Sequence, residues 1–262
     1  MIKTQATLDG QVFGSIQIQN PSTVNINSST KVSGDINLPG TPKVTINGKP
    51  NFSGVAVGTG STSPAGYAVF VNEGATFGVL RTRVDSPAMP SVNPPPATSG
   101  PWITVDSPAQ VPASWFPNSG VNLNPNAGSI TLPPGNYGAL NASNYANGGK
   151  LVLGNANGKP ATYNFYSFTL NSGVPVQILG PVTINTREFA INGGSTLGST
   201  GSQTLLTINV SGSQFIDNSS AKVYAKLILV PNGTLTVNGE VHAGVMAQNL
   251  NVTGSGRLYV GQ

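Results

Sequence analysis

The sequence predicts an all-β chain, a right-handed parallel β-helix (β-solenoid) with a long Pro-rich loop insertion. Three observations carry this. Val12-Phe13-Gly14-Ser15-Ile16 returns as Val32-Ser33-Gly34-Asp35-Ile36 and again as Phe52-Ser53-Gly54-Val55-Ala56, 20 residues apart each time. A second phase keeps the same spacing, with Val24-Asn25-Ile26-Asn27 followed by Val44-Thr45-Ile46-Asn47. Short alternating strands repeated at a fixed interval are the mark of stacked coils. Third, only 8% of residues are charged, against about 25% in ordinary soluble domains. Outward positions are filled by Thr, Ser and Asn, which suit β surfaces and turns rather than helices. A β-sandwich is the competing architecture.

In a coil of this period, residues one repeat apart lie over one another. Val24 is expected over Val44 and Ile26 over Ile46, all inward, with Asn27 over Asn47 as an amide pair at a corner. Strands are expected at residues 15–18, 23–26, 32–36, 43–46, 52–57, 68–71 and 75–80. Residues 1–83 then form the N-terminal rungs of one 262-residue domain. From 84 to 135 the pattern gives way to Pro94-Pro95-Pro96 and further prolines, with both tryptophans, Trp102 and Trp115, and Phe116 in the same stretch. Excursions of this length are usually functional or cover something. The aromatics either face a ligand or pin the loop to the flank. Strands resume at 137–140 and run to 258–260, so that 136–262 form the C-terminal rungs. About 200 residues in coils of about 20 give roughly ten rungs, about 50 Å long at the strand spacing. The last strand has little to cover its edge, which suggests end-to-end self-association.

Function classes are narrowed by what is scarce. Twelve basic and eight acidic residues leave a net charge of +4, without a run of Lys or Arg. Nucleic acid is therefore not an expected partner. The chain has no cysteine and one histidine, His242, too few for a Cys/His zinc site or a Cys-His nucleophile. His242 follows a core valine and is expected to point outward as a plain surface residue. The eight carboxylates are scattered, whereas glycoside hydrolysis needs two facing one bond. A non-enzyme is expected, with no cofactor and no metal. No apolar run reaches the length of a membrane span.

Pro134-Gly135-Asn136-Tyr137, the run from Ala161 to Asn171, and Gly180-Pro181-Val182-Thr183-Ile184 resemble bacterial surface β-helix domains of pilus-associated and exported proteins. So do the Asn-Gly turns of Val230-Pro231-Asn232-Gly233-Thr234 and Val237-Asn238-Gly239. The resemblance covers residues 134–262. Among named families the chain is most similar in kind to the tāpirins, cellulose-binding adhesins linked to type IV pili. It implies an extracellular, cell-surface protein that attaches to a polysaccharide such as cellulose. No catalytic or ligand residue carries over from it.

Sugar rings stack on aromatic faces while their hydroxyls meet amides and hydroxyls. The candidate ligand-binding residues are accordingly Trp102, Trp115, Phe116, Tyr137 and Tyr145, with Tyr163 and Tyr166 extending the strip. A passive stalk or fibre subunit is the other reading, and a polysaccharide lyase or hydrolase a more distant one.

Overall fold

The computed structural model describes residues 1–96, 100–115, 117–124, 126–143 and 148–260. The chain is all-β, with a 19-stranded sheet and a 4-stranded sheet among the described residues. Every strand pairing is parallel, and the pairings sort into three faces.

The first face is the longest. Its central inward column runs Ile103, Val121, Leu140, Phe168, Phe189, Phe215, Leu235, Leu250, Ala6, Val24, Val69 and Val44, each paired with the next. That is twelve layers, or about 50 Å at the strand spacing. Aromatic rings thicken its middle. Phe168 stacks on Phe189 at 5.3 Å, and Phe189 on Phe215 at 4.4 Å. The second face pairs Val176, Leu197, Val223, Val241, Leu258, Val12 and Val32 in sequence. The third carries Tyr137, Phe165, Thr186 and Val210. It ends in the small sheet of Ile16–Gln17, Ile36–Asn37, Leu80–Thr82 and Val55–Val57.

The order of layers departs from the order of the chain twice. The layer that starts at Ile2 lies between the last layers of the chain and the strand Thr23–Ile26: Leu250 pairs with Ala6, and Ala6 with Val24. Leu258, expected at an open edge, is instead covered by Val12. The strand Ala65–Val71 then inserts between Thr23–Ile26 and Thr41–Ile46. Val69 and Val71 therefore separate Val24 from Val44 and Ile26 from Ile46. Asn72 comes between Asn27 and Asn47 in the same way, accepting from Asn47 at 2.7 Å and donating to Asn27 at 3.3 Å. The layer of 41–57 is left outermost, and its inward residues meet water: Ile46 is 48% exposed and Val57 69%. Among the described residues, unpaired edges lie there and at Trp102–Val105, which pairs on one side only, and not at Leu258.

The Pro-rich excursion is shorter than expected. Strands Trp102–Val105, Gly120–Leu123 and Ile130–Leu132 already belong to the large sheet, so the chain returns to the layers between excursions, the longest described part of which is residues 84–96. This segment runs back along the third face. Gln17 donates to Val84 O and Ser86 Oγ, and Gln19 to Pro87 O. Ser91–Pro96 then lie over Asn209, Asn185 and Asn164. From Val84 to Pro96 is 12 steps, which at a polyproline rise reach about 37 Å. The six layer spacings from Ile18 to Phe165 need about 29 Å. The proline content suits the task, because a segment that joins no strand loses less freedom on docking when φ is already fixed.

Candidate functional site

The three faces offer different chemistry to solvent. On the third, outward asparagines form an amide chain: Asn209 donates to Asn185 at 2.8 Å, Asn185 to Asn164 at 2.8 Å, and Asn164 to Asn136 at 2.7 Å. Each amide is bonded to the next, and Ser91–Pro96 line a cavity of about 340 Å³ together with Asn164, Asn185 and Asn209, while Asn136 is exposed. This strap restricts access to the face at those three layers.

On the first face the outward positions are half-buried or exposed, except Gly120. One outward column runs Trp102, Gly120, Ala139, Ser167, Glu188, Gln214, Thr234, Asn249, Gln5, Thr23, Ala68 and Lys43. Beside it runs Thr104, Asn122, Asn141, Thr169, Ala190, Ile216, Thr236, Asn251, Thr7, Asn25, Phe70 and Thr45. Of these 12 × 2 positions only Glu188 and Lys43 are charged. Most of the others are Ser, Thr, Asn or Gln, so the parallel sheet presents mainly hydroxyls and amides, broken by Ile216 and Phe70. A shallow groove of about 220 Å³ crosses it at Gln5, Thr7, Thr234, Asn249 and Asn251.

Trp102 stands at one end of this face and is 55% exposed. A methyl group on Gly120 would lie 2.6–2.8 Å from the indole atoms Cδ2, Cε3 and Cε2. The indole thus covers the glycine, and only a residue without Cβ lets it lie down against the strand. Trp115 has a different place. It packs half-buried on the interior and meets Tyr137 edge-on at 6.5 Å. Tyr137 is an interior residue at 3% exposure, stacked on Phe165, with its hydroxyl donating to Pro133 O. Tyr163 is also interior; its hydroxyl donates to Leu132 O and accepts from Gly154 N–H, both at 2.8 Å. The two tyrosines are long apolar bodies with one satisfied polar tip, which is why they sit inside. Tyr166 is exposed under the guanidinium of Arg187, 5.2 Å from the ring centre. Phe116 and Tyr145 lie outside the described residues. Of the aromatic strip expected from the sequence, Trp102 is the member on the first face.

The second face carries a feature absent from the expectations. Tyr224, His242, Tyr259 and Phe13 point outward from successive layers and stack face to face. The centroid distances are 4.6, 4.1 and 4.3 Å, the planes within 20° of parallel. His242 does point outward, but the rings on either side bury it to 8% exposure. Its Nε2 lies 2.6 Å from Oε1 of Glu240, whose other oxygen is 3.6 Å from Lys222. Burial disfavours the charged Glu240 carboxyl. The hydrogen bond to His242 and the charges of Lys222, His242 and Arg257 outweigh it and hold the group below the usual carboxylate range. A sequence signal existed: Lys222-Val223-Tyr224, Glu240-Val241-His242, Arg257-Leu258-Tyr259 and Gln11-Val12-Phe13 share one polar–aliphatic–ring pattern. Their irregular spacing hid it.

The remaining unusual group is Asp217, fully buried. Desolvation pushes its carboxyl up to about 8, with Glu240 adding to the rise and the Gly239 N–H opposing it.

No family model matches the chain. No curated protein and no solved structure matches it either.

Proposed function

We propose that the chain is a right-handed parallel β-helix of the bacterial surface, pilus-associated kind, acting as a non-catalytic adhesin. Its first face holds an insoluble, uncharged polysaccharide such as cellulose, with Trp102 as the stacking platform. The observation that carries this reading is the juxtaposition of the exposed indole of Trp102 with an almost uncharged face twelve layers long. A neutral glycan surface offers ring faces and hydroxyls but no charge, and this face returns the same chemistry. Many weak contacts along a rigid platform add without a large ordering cost. The non-catalytic part of the reading is supported by three of the eight carboxylates: Asp217 is buried, Glu240 is bound by His242, and Asp35 holds Arg81 at 3.4 Å. The test is retention of the purified chain on insoluble cellulose and other neutral glycans. Loss of retention in Trp102→Ala, with folding intact, supports the reading; undiminished retention sinks it.

A second reading, a stalk or self-assembling extracellular fibre unit, is favoured by the outermost layer. Ile46, Val55 and Val57 are exposed there beside the unpaired edge of Thr41–Ile46. Sedimentation over a range of concentrations separates the two, because a fibre unit grows in mass and an isolated adhesin does not.

A further inference from the structure

The stack of rings on the second face ends one ring short. After Gln11-Val12-Phe13 the next layer repeats the polar–aliphatic pattern as Lys31-Val32, paired with Gln11 and Val12, but places Ser33 where the ring would be. One face of Phe13 is taken by Tyr259 at 4.3 Å. The opposite face looks toward the layer of Ser33, into a cavity of about 430 Å³ lined by Gln11, Phe13, Lys31, Ser33 and Thr76. Among the described residues Lys31 forms no ion pair, and its column also carries Arg257 beyond Gln11. The column Lys222, Glu240, Arg257, Gln11, Lys31 sums to +3 − 1 = +2, half of the +4 carried by the whole chain.

We propose that this cleft binds one acidic pyranose ring, a uronate unit, stacked on Phe13 as a fifth member of the column. The carboxylate meets Lys31, and the ring hydroxyls meet Gln11, Ser33 and Thr76. An apolar ring face is needed for the stacking contact, a cation for the carboxylate, and neutral donors and acceptors for the hydroxyls. All three surround one space. A flat aromatic guest would stack equally well but would give Gln11, Thr76 and the Ser33 hydroxyl proton no new partner. The orientation also limits what is read. A ring stacked on Phe13 lies in the plane of the Ser33 layer with its linkages in that plane, so a glycan continuing from it leaves the cleft instead of running down the face. The cleft therefore recognises a single terminal or branch residue. It is separate from the Trp102 face and does not depend on the adhesin reading.

The probes are trigalacturonate and its neutral counterpart, galactotriose, titrated into the whole chain at low salt by calorimetry or by chemical shifts. The acid should bind and weaken as salt is raised, and the neutral sugar should not. Lys31→Gln should weaken acid binding about tenfold, the size of one lost charge-assisted bond. Ser33→Phe should abolish it by supplying the missing ring, with the melting temperature held or raised. Ser33 Oγ accepts from Gly14 N–H at 2.9 Å, and if its loss unfolds the variant, Lys31→Gln alone decides. Equal binding of the acidic and neutral sugars, an unaltered affinity in Lys31→Gln, or no acid binding at millimolar concentration would each overturn the proposal. Trp102→Ala should leave this titration unchanged and Lys31→Gln should leave cellulose retention unchanged, so the two sites fail separately.

Discussion

Asp217 stacks on Val237 as the one acid in an interior column that is otherwise aliphatic. Its neighbour on the other side is Ile191. Oδ2 accepts from Gly239 N–H at 2.9 Å, while Oδ1 has no partner. With the folded value up to about 8, an unfolded chain gives up this proton near pH 4 and the folded chain keeps it. Between those values the folded state binds more protons, so stability falls as pH rises from about 4 to about 8 and is level above. The loss over that window is on the order of a few kcal/mol. Asp217→Asn keeps an acceptor for Gly239 and removes the charge. Its urea midpoint should lose that slope and exceed the parent's at pH 8. Parallel pH profiles for the two proteins would show that Asp217 is not the group responsible.

Layer order makes equivalent-looking valines unequal. Val69 is fully buried between Val24 and Val44, while Ile46 is 48% exposed at the open end. Val69→Asp buries an unpaired carboxyl and should cost at least about 3 kcal/mol. Ile46→Asp should cost less than about 1 kcal/mol. Denaturant unfolding of both variants ranks them, and the reverse ranking would contradict the inserted layer.

The two tryptophans should part company. Trp102→Ala should lower retention on insoluble glycan with little change in melting temperature. Trp115→Ala should lose about 1–3 kcal/mol, since its half-buried ring packs on Tyr137 and the interior. Gly120→Ala is a third probe. Its methyl group collides with the indole at 2.6 Å and should lift Trp102 off the strand, so retention should fall without any aromatic residue being removed.

The strap should owe its docking to its stiffness. Replacing Pro94, Pro95 and Pro96 by glycine frees the unfolded chain and should cost about 1–3 kcal/mol in total. Limited proteolysis between 84 and 96 should then proceed faster than in the parent. Equal cleavage rates would mean that Gln17 and Gln19 alone hold the segment down.

The inward valines and the parallel stacking were legible because alternation and period act locally, on each strand by itself. The insertion of Ala65–Val71 between two earlier strands was not. Layers of similar width are interchangeable as partners, and Val69 fits on Val24 as well as Val44 would. Trp102 could be named from composition, but its lying on Gly120 depends on a pairing between strands. Tyr137 was misplaced because its distance from the interior is fixed by its partner Phe165, 28 residues away. His242 shows the same limit in reverse: a strand pattern gives the direction of a side chain but not what stacks on it.

Because Ala6 lies between Leu250 and Val24, strands some 240 residues apart in sequence meet at an internal joint of the stacked layers. Of the two strands, Ile2–Leu8 is made earlier and carries an uncovered sheet edge until Glu240–Val252 arrives, across some 240 residues of intervening sequence. During that wait the edge is open to wrong partners. A truncation that removes Glu240–Val252 and Arg257–Tyr259 would therefore do more than shorten the tube at one tip. It would cut it into two pieces tied only by the strap, each with a raw end where the seam had been.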